Sequence, residues 1–217
     1  MKCDKNYLRL YAVTDRSWTT GTTLLVQVEA ALRGGVTCVQ LREKALDDTA
    51  FLAEAIEMRA LCRTYNVPFF VNDNVDIALK AQADGIHVGQ SDMAAAQVRE
   101  IVGKKMMLGV SASTVSQAVA AQKNGADCLG VGAIFSTATK TDAAVVPLST
   151  VREICAAVDI PVVAIGGLNK SNIHTLKGSG VSGVALVSAI FSAANIEAEC
   201  RMLRAMSDTI FADTRIA

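Results

Sequence analysis

The sequence is poor in prolines, aromatic residues and excess charge. It has three prolines and 5% aromatic residues among 217, and its 21 basic residues balance 21 acidic ones. A neutral chain gives no electrostatic reason to bind nucleic acid or an anionic membrane surface. We therefore expect small-molecule partners, with no nucleic acid and no membrane, and the sequence leaves a homo-oligomer open.

Cysteine-based zinc motifs and an export signal are also absent. The six cysteines form no CxxC pair and no Cys/His cluster with the spacing of a zinc site. The first residues lack the apolar stretch of a signal peptide, and the uncharged stretch at 178–196 is too rich in Gly and Ser for a membrane span. These features predict free thiols in a reducing compartment and a cytoplasmic location.

Eight short apolar runs recur along the chain, with amphipathic segments between them. The runs are continuous rather than alternating, which is typical of parallel strands covered on both faces. The segment that contains Ile196, Cys200, Leu203 and Ile210 has helical spacing. Strands are predicted at residues 8–13, 38–41, 69–71, 85–88, 107–110, 128–132, 162–165 and 184–187.

Eight strand–helix units predict a (β/α)₈ barrel that forms a single catalytic domain over residues 1–217. The alternative, an open doubly wound sheet, is disfavoured because no GxGxxG fingerprint follows the first strand. Thr150 and Glu153 have the spacing of a capping box, which predicts the start of the sixth helix there.

Polar residues follow the predicted strands, at the end where barrel enzymes carry their active sites. Gln40, Arg42 and Lys44 alternate along an extended segment after the second strand, so they face one side. An amide beside two cations suits a polar head group with a phosphate or diphosphate. The segment reads equally well as a solvated strand end with surface ion pairs.

Two carboxylates, Asp73 and Asp92, follow the adjacent third and fourth strands. Such a pair suits Mg²⁺, which takes one or two carboxylates and fills its shell with phosphate oxygens and water. The alternative is that each aspartate caps the helix that follows it.

A second phosphate site is predicted beyond the seventh and eighth strands, where Gly166, Gly167 and Ser188 lie. Residues 136–144 form the longest loop without an apolar anchor, and it carries Lys140. This loop is either a flexible surface segment or a lid over bound substrate. His87 lies among apolar neighbours and receives no role. Together the residues indicate a diphosphate with Mg²⁺ at one end of the site and a monophosphate at the other.

The chain resembles the thiamine phosphate synthase family over nearly its whole length. Each motif is short, but the ordered set is specific. The matching motifs are Tyr11-Ala-Val-Thr-Asp15, Gln40-x-Arg42-x-Lys44, Asn72-Asp73, Gly85-Ile-His-Val-Gly-Gln-x-Asp92, Gly109-Val-Ser111, Gly132-Ala-Ile-Phe-x-Thr137-x-Thr139-Lys140, Gly166-Gly167 and Val187-Ser188.

The resemblance implies a transferase that joins a hydroxymethylpyrimidine diphosphate to a thiazole phosphate and releases pyrophosphate. It implies that Gln40 and Asn72 hold the aminopyrimidine and that the aspartates named above bind Mg²⁺, the expected cofactor. The implied diphosphate and catalytic residues are Arg42, Lys44, Ser111 and Lys140; the implied thiazole phosphate residues are Thr137, Thr139, Gly167, Val187 and Ser188.

Two alternatives remain beside the synthase. A sister branch with the same fold isomerises the thiazole phosphate and lacks parts of the diphosphate end, notably the loop lysine. The other is a non-catalytic barrel that binds thiamine intermediates, and loss of the metal or diphosphate residues would mark it. Arg42, Lys44, Lys140 and both aspartates are present, which favours the synthase.

Overall fold

The computed structural model describes residues 2–19, 21–137 and 144–212. Eight parallel strands close into a barrel in which each strand pairs with its neighbours in sequence and β8 pairs with β1. The predicted (β/α)₈ barrel is therefore confirmed. The strands are β1 Leu10–Val13, β2 Cys38–Leu41, β3 Phe69–Asn72, β4 Gly85–Val88, β5 Met107–Ala112, β6 Cys128–Val131, β7 Val162–Ile165 and β8 Gly183–Leu186.

Most connections between consecutive strands contain a helix that packs on the outside of the barrel. The α-helices are α1 Leu24–Arg33, α2 Asp48–Thr64, α3 Val75–Lys80, α4 Ala95–Val102, α5 Val115–Lys123, α6 Leu148–Ala157, α7 Ser188–Phe191 and α8 Ile196–Ile210. Three short 3₁₀ helices accompany them: η1 Lys5–Leu8, η2 Arg16–Trp18 and η3 Ile173–Leu176. Among the described residues, no helix combines the length and apolarity needed to cross a membrane.

The prediction of eight regular strand–helix units is wrong at the seventh unit. Only η3 lies between β7 and β8, whereas β8 is followed by two helices, α7 and α8. The loop before η3 is fixed by side chains: Asn172 Oδ1 accepts from the Asn169 backbone N–H at 2.8 Å, and Asn172 Nδ2 donates to the Gly167 carbonyl at 2.9 Å. Such local bonds compete with helix formation.

The predicted capping box of the sixth helix is also wrong. Helix α6 begins at Leu148 with Pro147 as its N-cap, so Thr150 already lies inside the first turn. Pro147 has an extended backbone, with φ −60° and ψ 148°. Because the helix begins directly after Pro147, Thr150 has a helical backbone and cannot be the N-cap.

Two apolar layers hold the barrel together. The larger layer lies between the strands and the helices. The smaller one fills the barrel interior, and Tyr11, Phe70 and Met107 are among its fully buried members. Burial of a side chain as large as Phe70 contributes about 2–3 kcal/mol. The interior is closed at its N-terminal end by Leu8 and Cys3, so ligands must enter from the opposite end.

On three of the strands, the residue directly above this interior level is polar. Two positions beyond Cys38, Phe70 and Gly109 come Gln40, Asn72 and Ser111, which point the same way because side chains alternate along a strand. On β2, β3 and β5 the period of two therefore places polar side chains at the C-terminal end of the barrel.

Candidate active site

One cavity of about 540 Å³ opens at the C-terminal ends of the strands. It is lined by every predicted site residue that the structure describes: Gln40, Arg42, Lys44, Asn72, Asp73, Asp92, Ser111, Thr137, Gly167, Val187 and Ser188. Thr139 and Lys140, and most of the predicted 136–144 lid, lie outside the described residues. The predicted residues come from seven strand ends, and Tyr11 and Val13 of β1 line the same cavity, so all eight strands contribute to it.

The segment after β2 carries the two described cations of the cavity wall. Arg42 donates its backbone N–H to Thr14 Oγ1 at 2.9 Å, and its Nη1 lies 3.6 Å from Asp15 Oδ2. Lys44 Nζ lies 2.6 Å from Asp73 Oδ2. Each cation therefore has a carboxylate partner beside the cavity, an arrangement that fits both a phosphate site and a solvated strand end with surface ion pairs.

Glu43 lies between these two cations in sequence but faces the opposite way. Its side chain is 2% exposed, and Arg16 Nε reaches it at 2.9 Å. The same guanidinium contacts Glu54 of α2 at 2.5 Å. The supporting ion pairs of Asp15, Arg16 and Glu43 were not predicted from the sequence. The alternation that placed Gln40, Arg42 and Lys44 on one face also puts Glu43 on the other.

The two aspartates lie beside one another at the cavity. Burial raises the pKa of Asp73, the Lys44 ammonium opposes that shift, and the neighbouring Asp92 carboxyl adds to it. Asn72 Nδ2 donates to Asp73 Oδ1 at 2.7 Å, and Asp92 Oδ2 accepts from the Gly89 backbone at 2.7 Å. The helix-cap alternative is wrong for both, because Asn74 caps α3 and Ala94 precedes α4.

This pair fits a divalent cation. Two neighbouring carboxylates that disfavour each other's charge would be stabilised by a cation between them, and their oxygens are the hard ligands that Mg²⁺ prefers. Among the described residues, no group of three or more acidic, His or Cys side chains could hold a metal. Oxygens of a substrate and of water would therefore have to complete the shell.

His87 and Ser111 form a pair at the floor of the cavity. His87 Nε2 lies 3.0 Å from Ser111 Oγ, and His87 Nδ1 has no partner among the described residues. A buried unpaired N–H is rarer than a buried unpaired acceptor, so we assign the proton to Nε2. Ser111 then accepts from His87, and its own hydroxyl proton is free to point at a ligand.

Two glycines make room for the His87 ring. A Cβ at Gly109 would lie 2.4 Å from His87 Nδ1, and one at Gly130 would lie 3.1 Å from its Cε1. Larger residues on β5 and β6 would push the ring toward the cavity. His87 has no predicted role, yet Gly109 and Gly130 on the neighbouring strands indicate that a large side chain lies in the barrel at this level.

The His87 environment makes stability depend on pH. Burial lowers the pKa of His87 to about 4, from 6.5. The folded protein therefore binds fewer protons than the unfolded chain between these values, and stability falls as the pH drops from 6.5 toward 4. The loss should approach about 3 kcal/mol. We expect His87→Asn to remove this loss, as measured by urea unfolding of metal-free protein between pH 7 and 4.

His174, the other histidine, provides the matched control for that measurement. It lies in η3, away from the cavity. His174→Asn should keep the acid sensitivity of the parent protein. An unchanged pH profile in His87→Asn would show that another group causes the acid loss.

The opposite side of the cavity is built from backbone turns. Gly166 and Gly167 adopt positive φ values of 96° and 65°, and Val187 and Ser188 line the cavity after β8. A Cβ at Gly167 would lie 2.7 Å from Phe135 Cβ and from the Phe135 and Ser136 carbonyl oxygens. The turn at Gly167 therefore packs directly against the backbone of Phe135 and Ser136, and no side chain fits between the two segments.

Comparison with known proteins agrees with this geometry. The family model described as thiamine monophosphate synthase matches residues 10–190, most of the chain and all eight strands. The chain belongs to this family. A curated thiamine-phosphate synthase of Ruminiclostridium cellulolyticum is 50% identical over 194 residues, which covers 89% of this chain and 92% of the relative. One from Clostridium botulinum is 46% identical and covers 93% and 94%.

A solved structure extends the similarity to the backbone. The thiamine phosphate pyrophosphorylase of Pyrococcus furiosus superposes with a TM-score of 0.88 at 37% identity, covering 95% of this chain and 98% of that one. The thiamine monophosphate synthase family therefore accounts for the whole barrel, including the strand ends that line the cavity. The resemblance stated from the motifs is confirmed.

Proposed function

We propose that the protein is a thiamine phosphate synthase. It joins 4-amino-2-methyl-5-(diphosphooxymethyl)pyrimidine to a thiazole ethyl phosphate, or its carboxylated form, and releases pyrophosphate; with the carboxylated form, CO₂ leaves as well. The observation that carries this proposal is the division of one cavity into two unlike ends. Arg42, Lys44 and the two aspartates lie at one end, and the glycine turn with Ser188 lies at the other.

The cationic end suits the pyrimidine diphosphate. Gln40 and Asn72 offer amides to the aminopyrimidine, while Arg42 and Lys44 face the diphosphate. With the His87 proton assigned to Nε2, the Ser111 oxygen accepts from the ring 3.0 Å away, and Ser111 offers its hydroxyl proton to the diphosphate. Lys140, from the loop outside the described residues, is proposed to add a further charge to the same diphosphate.

The glycine end suits the thiazole phosphate. The turn at Gly167 exposes backbone to the cavity without a side chain, and Val187 and Ser188 lie beside it. Thr137 lines the same cavity, and we assign Thr139 to the same phosphate. A monophosphate held here would place the thiazole ring between the two ends.

The proposed reaction is a substitution that begins with departure of the leaving group. The C–O bond to the diphosphate breaks, the electron pair leaves with pyrophosphate, and the pyrimidine methylene becomes a carbocation stabilised by the ring amino group. The thiazole nitrogen then donates its lone pair and forms the C–N bond. No protein nucleophile is required, so the chain's contribution is charge stabilisation by Arg42, Lys44 and the Ser111 hydroxyl.

The proposal includes Mg²⁺ as cofactor, held by Asp73 and Asp92. When bound, it supplies Lewis-acid stabilisation of the departing diphosphate. We further propose that residues 1–217 act as one catalytic domain in the cytoplasm and that the partners are small-molecule substrates.

The decisive test is pyrophosphate release. With both substrates and Mg²⁺, purified protein should form thiamine phosphate and pyrophosphate in equal amounts, measured by a coupled phosphate assay and mass spectrometry. Chelation with EDTA should abolish release, and added Mg²⁺ should restore it. Isomerisation of carboxythiazole phosphate without pyrophosphate release would establish the sister activity instead. Binding of both substrates without any product would establish a non-catalytic barrel.

A further inference from the structure

Tyr11 lies beneath Gln40 at the floor of the cavity. The two residues come from adjacent strands, and Gln40 Nε2 donates to Tyr11 Oη at 2.9 Å. Both are almost fully buried, with 1% and 5% of their surface exposed, yet both line the cavity. The Tyr11 ring is fixed by Phe70, whose centroid lies 5.8 Å away at an interplanar angle of 56°.

The hydroxyl of Tyr11 has a second neighbour, the Cys38 thiol on the same side of β2. Burial, the main cause, raises the pKa of Cys38, and the nearby Tyr11 side chain on the paired strand opposes that shift. Because the Tyr11 oxygen accepts from Gln40, the Tyr11 hydroxyl proton must point away from the amide. In this arrangement the Nε2 amino group of Gln40 is engaged by Tyr11, and the Gln40 Oε1 acceptor is left for a ligand.

We propose that Tyr11 determines which pyrimidine the protein accepts, by fixing Gln40 with its carbonyl oxygen toward the substrate. This rests on the proposed function. An exocyclic amino group donates to Oε1, whereas an oxo group in its place presents a second acceptor. A site built around a buried acceptor rejects a ligand that leaves that acceptor unpaired. Without the Tyr11 hydroxyl, the amide can turn by 180° and offer its N–H groups to the oxo ligand.

The test compares binding of two ligands to Tyr11→Phe. The probes are 4-amino-2-methyl-5-(diphosphooxymethyl)pyrimidine and its 4-oxo counterpart, titrated calorimetrically with Mg²⁺ and without thiazole phosphate. The parent protein should prefer the amino ligand strongly. The variant should lose roughly tenfold or more of that preference, partly through tighter binding of the oxo ligand. An unchanged preference in folded Tyr11→Phe would overturn the proposal.

Three controls separate this effect from damage to the fold. Inorganic pyrophosphate with Mg²⁺ should bind parent and variant alike, because it does not reach Gln40. Tyr65→Phe removes a hydroxyl that contacts only Glu29 on the outer surface among the described residues, and it should keep the full preference. In a Gln40→Ala background, Tyr11→Phe should have no further effect on the preference. If Tyr11→Phe reduced the preference as much in the Gln40→Ala background as in the parent protein, Tyr11 would not act through Gln40 and the proposal would be overturned.

The same titrations distinguish failure of this inference from failure of the proposed function. If parent protein binds pyrophosphate but neither pyrimidine, both the synthase assignment and the role of Tyr11 are wrong. If it prefers the amino ligand and Tyr11→Phe does too, only the role of Tyr11 is wrong.

Discussion

Asp73→Asn should reduce kcat/KM by roughly a hundredfold to a thousandfold, because it removes about 3–4 kcal/mol of transition-state charge stabilisation. The substitution takes one negative charge from the proposed metal pair and leaves the Lys44 ammonium without the carboxylate that lies 2.6 Å away. The apparent Mg²⁺ requirement should also rise. Both quantities can be measured as pyrophosphate release across a Mg²⁺ titration.

The fold should survive this substitution. Asp73 adopts a left-handed backbone conformation with φ 60°, and asparagine is among the few residues that tolerate it. The loss of activity should therefore appear without a large change in the free energy of unfolding, which urea denaturation would measure.

Asp76→Asn is the matched control for charge. Asp76 lies three residues further on in α3, and its Oδ2 lies 2.6 Å from Lys80 Nζ, the same separation as in the Asp73–Lys44 pair. Its side chain is 65% exposed, so the pair stabilises little. Activity should remain within about twofold of the parent, because Asp76 does not line the cavity and an exposed surface pair contributes little. Equal losses in both variants would exclude a special role for Asp73.

The sequence predicted the barrel well because each strand repeats one physical pattern. A strand buried on both faces must be apolar throughout, and a period of two then selects which residues face the interior. The same period placed Gln40, Arg42 and Lys44 on one side, and all three line the cavity. Strand ends also predicted Asp73, Asp92 and Ser111 as cavity residues, since parallel strands end at one rim.

The supporting contacts could not be predicted in the same way. Tyr11 lies in an apolar run and looked like ordinary core, because its partner Gln40 comes from another strand and their separation depends on register. Asp15 reaches Arg42, and Asn172 reaches the Gly167 carbonyl, only once loops are folded. The missing helix before β8 has the same origin, since local side-chain bonds replaced helical ones in that connection.

Gly167→Ala should weaken ligand binding at one end of the site and leave binding at the other end unchanged. Alanine there must adopt φ 65°, which costs about 1–2 kcal/mol, and its Cβ would lie 2.7 Å from the Phe135 and Ser136 carbonyl oxygens. The backbone atoms of Phe135 and Ser136 cannot move far, so the turn at Gly167 must shift. The thiazole phosphate should then bind at least about tenfold more weakly, which corresponds to a loss of ~1.4 kcal/mol in binding free energy. Pyrophosphate with Mg²⁺ should bind as before, because Arg42 and the aspartates lie on the other side of the cavity.

Gly178→Ala isolates the backbone strain from the collision. Gly178 has a similar φ of 72°, but a Cβ there meets nothing within 4 Å, and the residue does not line the cavity. This control should lose about 1–2 kcal/mol of stability and keep both ligands. For each variant, calorimetric titration measures the affinity for each phosphate ligand, and urea unfolding measures the stability. If Gly167→Ala weakened pyrophosphate as much as thiazole phosphate, the cavity would be one continuous anion site rather than two ends with separate ligands.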